Sequence, residues 1–99
     1  MPLRHVVLFR FADTTSDAQI ADMEAALAAL PDTIPEIASY TLGRDAGIND
    51  ASWDFAVIGE FATSADYVVY RDHPVHRHVI ETLVLPIVSD RASVQLTAG

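Results

Sequence analysis

The chain contains no cysteine and no lysine. The first absence removes disulfides, thiolate nucleophiles and cysteine-ligated zinc together. The second removes catalysis through a side-chain Schiff base. Six arginines stand against fourteen acidic residues, for a formal net charge of −8 at pH 7. Such a chain repels phosphate backbones and has no basic stripe to follow them, so nucleic acid is not an expected partner. No apolar run approaches the roughly 18 to 20 residues of a membrane span, so no membrane partner is expected either. The amino terminus, MPLRHVVLFRF, alternates instead of forming an apolar block, and no small-residue cleavage site follows it. No signal peptide is therefore read, and the expected location is cytoplasmic. Any chemistry must use histidine, tyrosine, arginine or carboxylates.

What remains is rich in apolar side chains, at 51% of 99 residues, which suits a single domain spanning 1–99 with one core. Residues 3–11 alternate as a strand does, with Leu3, His5, Val7, Phe9 and Phe11 on a heavy face and Arg4, Val6, Leu8 and Arg10 on a lighter one. Ser16 and Gln19 form a capping-box signature, after which Ile20, Met23, Leu27 and Leu30 mark one helical face that Pro31 is expected to end. After a connection over 32–36, residues 37–43 read as a weaker strand and 44–52 as a loop rich in Asp, Asn and Gly. Residues 53–61 alternate again, with Trp53, Phe55, Val57 and Phe61 on one face and Asp54, Ala56, Ile58 and Glu60 on the other. Thr63 or Ser64 caps a short helix through Tyr70, His73-Pro74 interrupts it, and a second helix runs from there to about Leu85. Residues 91–97 form a last, half-exposed strand.

This order is a ferredoxin-like βαββαβ arrangement in the α+β class, an antiparallel four-stranded sheet with helices on one face. The lighter strand faces still carry Val6, Leu8, Ala56 and Ile58, which helices on the heavy face leave uncovered. A two-fold homodimer with its sheets face to face would bury them. The alternative is that these aliphatics, beside Arg4, Arg10 and Asp54, are ordinary surface.

Three of the four histidines lie in the stretch YRDHPVHRH, residues 70–78. On a helical wheel starting at Pro74, His76 shares an inward arc with Val79, Ile80, Leu83 and Val84, whereas Arg77, His78, Glu81 and Thr82 face away. His5, on the heavy face of the first strand, is placed to meet His76 across one cavity. Burial keeps such imidazoles neutral near pH 7, and a neutral imidazole is a competent base. Tyr70 can add a phenolic donor. The competing structural reading is that His5, Tyr70 and His76 satisfy one another as a buried polar cluster. His73 and His76, with Asp72, have a spacing that can share an ion, but a clear third ligand is missing and His73 sits where a helix cap is expected, so no metal site is assigned. Phe9, Phe11, Trp53 and Phe55 on the heavy face, with Ile80 and Leu83, are candidate walls of a pocket for an apolar or aromatic ligand. Packed core is the alternative for the same aromatic residues.

The strand LRHVVLFRF with its histidine, the Gly-bearing loop before Trp53, and the tyrosine followed by His73-Pro74-Val75-His76 together resemble the stress-responsive A/B barrel family, also called Dabb, over nearly the whole chain. The resemblance implies a ferredoxin-like homodimer whose sheets form a dimeric α+β barrel, and no cofactor. It also implies two functional classes. Most of the family are small stress-associated or uncharacterised proteins, whereas one branch resembles polyketide cyclases that close rings by aldol chemistry. For that branch, His76 matches the proton-abstracting base, Tyr70 the enolate-stabilising donor and His5 the first-strand histidine. A binding protein with a small apolar pocket is the preferred expectation, a cyclase-like enzyme the alternative. A cofactor-free monooxygenase is a further one, by fold analogy alone.

Overall fold

The computed structural model describes residues 1–97. Strand β1 (Leu3–Phe11) is followed by helix α1 (Asp17–Ala28), a short helix α2 (Leu30–Thr33), strands β2 (Ser39–Arg44) and β3 (Phe55–Phe61), helices α3 (Ser64–Asp72) and α4 (Pro74–Val79), and strand β4 (Val88–Thr97). The four strands form one antiparallel sheet in the order β2-β3-β1-β4, so β1 and β3 are central and β4 is an edge. This is the expected ferredoxin-like α+β fold.

The local reasons are legible. Ser16 caps α1 with a complete capping box: its hydroxyl accepts from the Gln19 N–H at 3.2 Å and the Gln19 side chain accepts from the Ser16 N–H at 2.9 Å. Ile20, Met23 and Leu27 follow at helical spacing and are all buried against the sheet. Each such side chain contributes about 1.5–3 kcal/mol when fully buried. Thr63 caps α3 by accepting from the Asp66 N–H at 3.1 Å. Phe9, Phe55, Val57 and Phe61 from the inner sheet face complete the core with Leu30, Ile34 and Val84.

Pro31 does not end the helical path as its position led one to expect. Ala29 closes α1 by donating to Ala25 at 3.2 Å, and Pro31 then sits in the first turn of α2, where its missing N–H has no partner to lose. That extra turn buries Leu30 and Ile34 together. Trp53 also departs from expectation. The chain bends at Asp54, whose N–H donates to the Phe9 carbonyl and whose Oδ2 accepts from the Phe11 N–H, both at 2.9 Å. Alternation therefore starts at Phe55, and the Trp53 ring lies on the outer side of the sheet beneath the Arg10 guanidinium, 4.5 Å from ring centre. Finally, α4 does not run on as regular helix. Residues Ile80–Val84 widen into a π segment, closed by the Leu85 N–H donating to the Ile80 carbonyl at 2.9 Å.

The outer sheet face carries Val6 opposite Ile58 and Leu8 opposite Ala56, all partly exposed. On the other side of β1, Val94 pairs with Val6 and Leu96 with Arg4. Val94 is 50% exposed and Leu96 49%, so the apolar strip is wider than the four residues read from β1 and β3.

Candidate functional site

One rung of the sheet supplies the floor of the site. Tyr40 of β2 pairs with Gly59 of β3, Gly59 with His5 of β1, and His5 with Gln95 of β4. All four residues share the inner face. The absence of a side chain at residue 59 matters here, because a Cβ would come within 3.1 Å of the Phe61 ring and 3.3 Å of the Tyr40 ring. The two rings occupy that space instead.

Helix α3 lays two further phenols over this rung. The Tyr67 ring centre lies 4.9 Å from that of His5, and the Tyr70 ring centre 5.9 Å from it. The Tyr70 hydroxyl is 2.7 Å from the Tyr40 hydroxyl. Such a pair holds two hydroxyl hydrogens and uses one between them, so the other is available to a ligand oxygen. Its donation is strengthened by the bond already in place.

His76 is set by the His73-Pro74 break. Ending α3 at Asp72 leaves its last carbonyls without helical donors, and His76 Nδ1 lies 3.1 Å from that of Arg71. A carbonyl only accepts, so Nδ1 carries the hydrogen and Nε2 of the neutral ring is a bare lone pair. The His76 ring packs on Tyr70 with 4.2 Å between ring centres. His5 is set in the same way: its Nδ1 faces the Gln95 Oε1 at 2.7 Å and donates to it, which also leaves Nε2 as the acceptor.

The electrostatics agree with that geometry. Burial lowers the His5 pKa, against the opposing bond from Gln95. Burial also lowers that of His76, against the Arg71 carbonyl, with His5, Arg77 and His73 adding to the fall. Both imidazoles are therefore neutral at pH 7. The phenols move the other way. Burial pushes Tyr40 up to about 12 despite the bond from Tyr70. Burial and then the neighbouring Tyr40 and Tyr67 push Tyr70 far above the usual phenol range, and burial raises Tyr67. The site holds two neutral bases beside three protonated phenols.

A cavity of about 500 Å³ opens between sheet and helices, and His5, Tyr40, Tyr67, Tyr70 and His76 all line it. This volume lies in the range of small-molecule sites. Of the apolar walls expected from sequence, Phe9 and Ile80 line the cavity. The other four sit elsewhere. Phe55 is 1% exposed and packed in the core, with Phe11 edge-on to it at 6.0 Å. Leu83, within the π segment, packs against the same core, and Trp53 lies across the sheet over the outer face. Of the strand residues, Phe11 and Phe55 went to the core instead of walling the pocket. His73 caps α4, its Nδ1 accepting from the Val75 N–H at 3.1 Å, and His78 is exposed. Among the described residues no group of three or more His, Cys, Asp or Glu side chains converges as a metal cluster would.

Tyr40, Tyr67 and Gln95 are site residues that the sequence pattern did not single out. Tyr40 shares its strand face with the core residue Leu42, which is a readable signal. Gln95 sat among the polar residues of an edge strand, and only the β1–β4 register puts it beside His5.

The family model described as Stress responsive A/B Barrel Domain, Dabb, matches residues 3–98. No curated protein matches the sequence. Among solved structures, a dimeric ferredoxin-like protein of unknown function from Thermobifida fusca is 36% identical with a TM-score of 0.92, the match covering 99% of this chain and 92% of that one. The hydroxynitrile lyase of Passiflora edulis is 20% identical with a TM-score of 0.87, covering 99% of this chain and 94% of that one. SnoaB, a cofactor-independent oxygenase from Streptomyces nogalater, is 16% identical with a TM-score of 0.77, covering 99% of this chain and 93% of that one. At such identities the two enzymes share the fold and carry nothing further.

Proposed function

The chain belongs to the stress responsive A/B barrel family, and from that premise we propose that it is a small homodimer binding an apolar or aromatic ligand that bears a carbonyl or hydroxyl oxygen. The observation that carries this reading is a cavity lined by two imidazoles whose Nδ1 atoms are engaged and whose Nε2 atoms are bare, beside a phenol pair with one hydrogen to give. An apolar body fits against Phe9, Val57 and Ile80, and its oxygen meets the donors and acceptors of His5, Tyr70 and His76. Support for the homodimer comes from the apolar strip of Val6, Leu8, Ala56, Ile58, Val94 and Leu96, and from the dimeric Thermobifida fusca relative.

A second reading, turnover of the bound ligand, is favoured by the tautomer of His76. With Nδ1 held by the Arg71 carbonyl, Nε2 can take a proton from the carbon next to a carbonyl, while Tyr70, backed by Tyr40, donates to the enolate oxygen and His5 orients the substrate. This is the chemistry of a cyclase-like, aldol-type ring closure without a cofactor. Histidine-detected NMR with 4-hydroxyacetophenone tests both readings. Binding should shift the His5 and His76 ring signals, and no shift at millimolar ligand refutes the pocket. His76→Gln then divides them: under the first reading affinity changes modestly, and under the second turnover of a suitable carbonyl substrate falls about 10²-fold or more with affinity kept.

A further inference from the structure

The chain has six arginines against fourteen acidic residues, so counter-ions are plentiful. Four of the arginines are engaged. Arg4 pairs with Glu60 at 2.6 Å, Arg44 with Asp17 at 3.1 Å and Arg71 with Asp72 at 2.9 Å. Arg10 stacks over Trp53. The remaining two, Arg77 and Arg91, make no ion pair among the described residues, and both line the cavity. They reach it from different walls. Arg77 stands on α4, one residue after His76, and Arg91 on β4, paired in register with Phe9 on the inner sheet face. Both are exposed, and both stand on the lining of the cavity that holds the imidazoles and phenols.

An acidic protein that leaves two arginines without ion pair or aromatic partner on two walls of one cavity has a place for an anion. We infer that the ligand is a small carboxylate, its carboxyl group held between Arg77 and Arg91 and its apolar or aromatic body directed inward toward Tyr70 and His76. This rests on the ligand-binding reading above and names the class of ligand. Glu81 also lines the cavity, one helical turn beyond Arg77. Its negative charge favours a singly charged carboxylate over a doubly charged phosphate monoester. Arg71, the third arginine on the lining, is already committed to Asp72 through two contacts of 2.9 and 3.0 Å and is not needed for the anion.

The test compares three probes of one shape, 4-hydroxyacetophenone, 4-hydroxybenzoate and phenyl phosphate, by NMR titration of the intact protein at low and high salt. The expected result is that 4-hydroxybenzoate binds tightest, that its advantage shrinks with salt, and that R77Q and R91Q each reduce it roughly fivefold while leaving 4-hydroxyacetophenone unchanged. R77K and R91K, which keep the charge, should retain most of the preference. Equal binding of the neutral and carboxylate probes, or a preference indifferent to both glutamine variants, overturns the carboxylate inference and leaves the pocket standing. Tightest binding by phenyl phosphate overturns the choice of carboxylate. Failure of all three probes to bind overturns this inference and the ligand-binding reading together.

Discussion

Removing the Tyr70 hydroxyl while keeping its ring isolates one bond of the site. Tyr70 is 2% exposed, and its ring contacts with Phe61 at 5.1 Å and His76 at 4.2 Å survive in Tyr70→Phe. What is lost is the 2.7 Å bond to Tyr40, whose hydroxyl is left without its partner. A neutral bond contributes about 1 kcal/mol net, and a stranded buried polar group costs about 1–3 kcal/mol. Tyr40 is only partly buried and borders the cavity, so the lower end applies and about 1.5 kcal/mol is expected. For a domain of this size that is a fall in Tm of roughly 6–12 °C. Tyr40→Phe should lose a similar amount, because it strands Tyr70. The double variant removes both polar ends and strands neither, so it should be no less stable than either single variant, a coupling of about 1.5 kcal/mol or more. Urea melts of the four proteins at one pH give the cycle. Additive losses would refute the claim that the two phenols satisfy each other.

Three further outcomes follow from the same structure. Both His5 and His76 have folded pKa values lowered from 6.5, so the unfolded chain binds more protons between the folded and unfolded values, and stability should fall as pH drops through and below 6.5; the urea midpoint should be higher at pH 7.5 than at pH 5.5, and the double variant His5→Gln/His76→Gln should flatten that slope. Val94→Glu, on a half-exposed position of the outer face, should shift sedimentation from dimer to monomer with an unchanged circular dichroism spectrum; an unaltered dimer would place the interface elsewhere. Gly59→Ala drives a methyl to 3.1 Å from the buried Phe61 ring and should destabilise by about 1 kcal/mol or more in thermal melts, whereas a neutral result would mean that the Phe61 and Tyr40 rings can yield.

Much of the fold was legible because the strands alternate strictly and the helices announce their caps. Ser16 with Gln19, Thr63 before Asp66, and His73 before Pro74 each mark a start by local chemistry that the tertiary structure does not override. Pro31 misled because proline ends one helix and opens another by the same property, and only the buried pair Leu30 and Ile34 decides between them. Helical phase turned His76 inward but also sent Arg77 and Glu81 away from the cavity that all three line, and Tyr40 and Gln95 could not be attached to it, since pairing register lies outside any single strand's pattern. The aromatic walls failed for a related reason. Face was assigned correctly to Phe11 and Phe55, but face alone does not separate cavity from core, since Phe9 lines the cavity while its cross-strand partner Phe55 is sealed in the core.

The rung Tyr40–Gly59–His5–Gln95 draws one residue from every strand, the edge strand β4 included. A slip of one residue in any strand would turn its member toward the outer face and dismantle the site while most of the sheet hydrogen bonding could re-form. The His5 ring signal is thus a built-in register gauge. Its Nδ1 finds Gln95 only when a sequence separation of 90 residues has been closed in the native sheet, so a refolding experiment watching that one proton would time the zipping of β4 independently of any bound ligand.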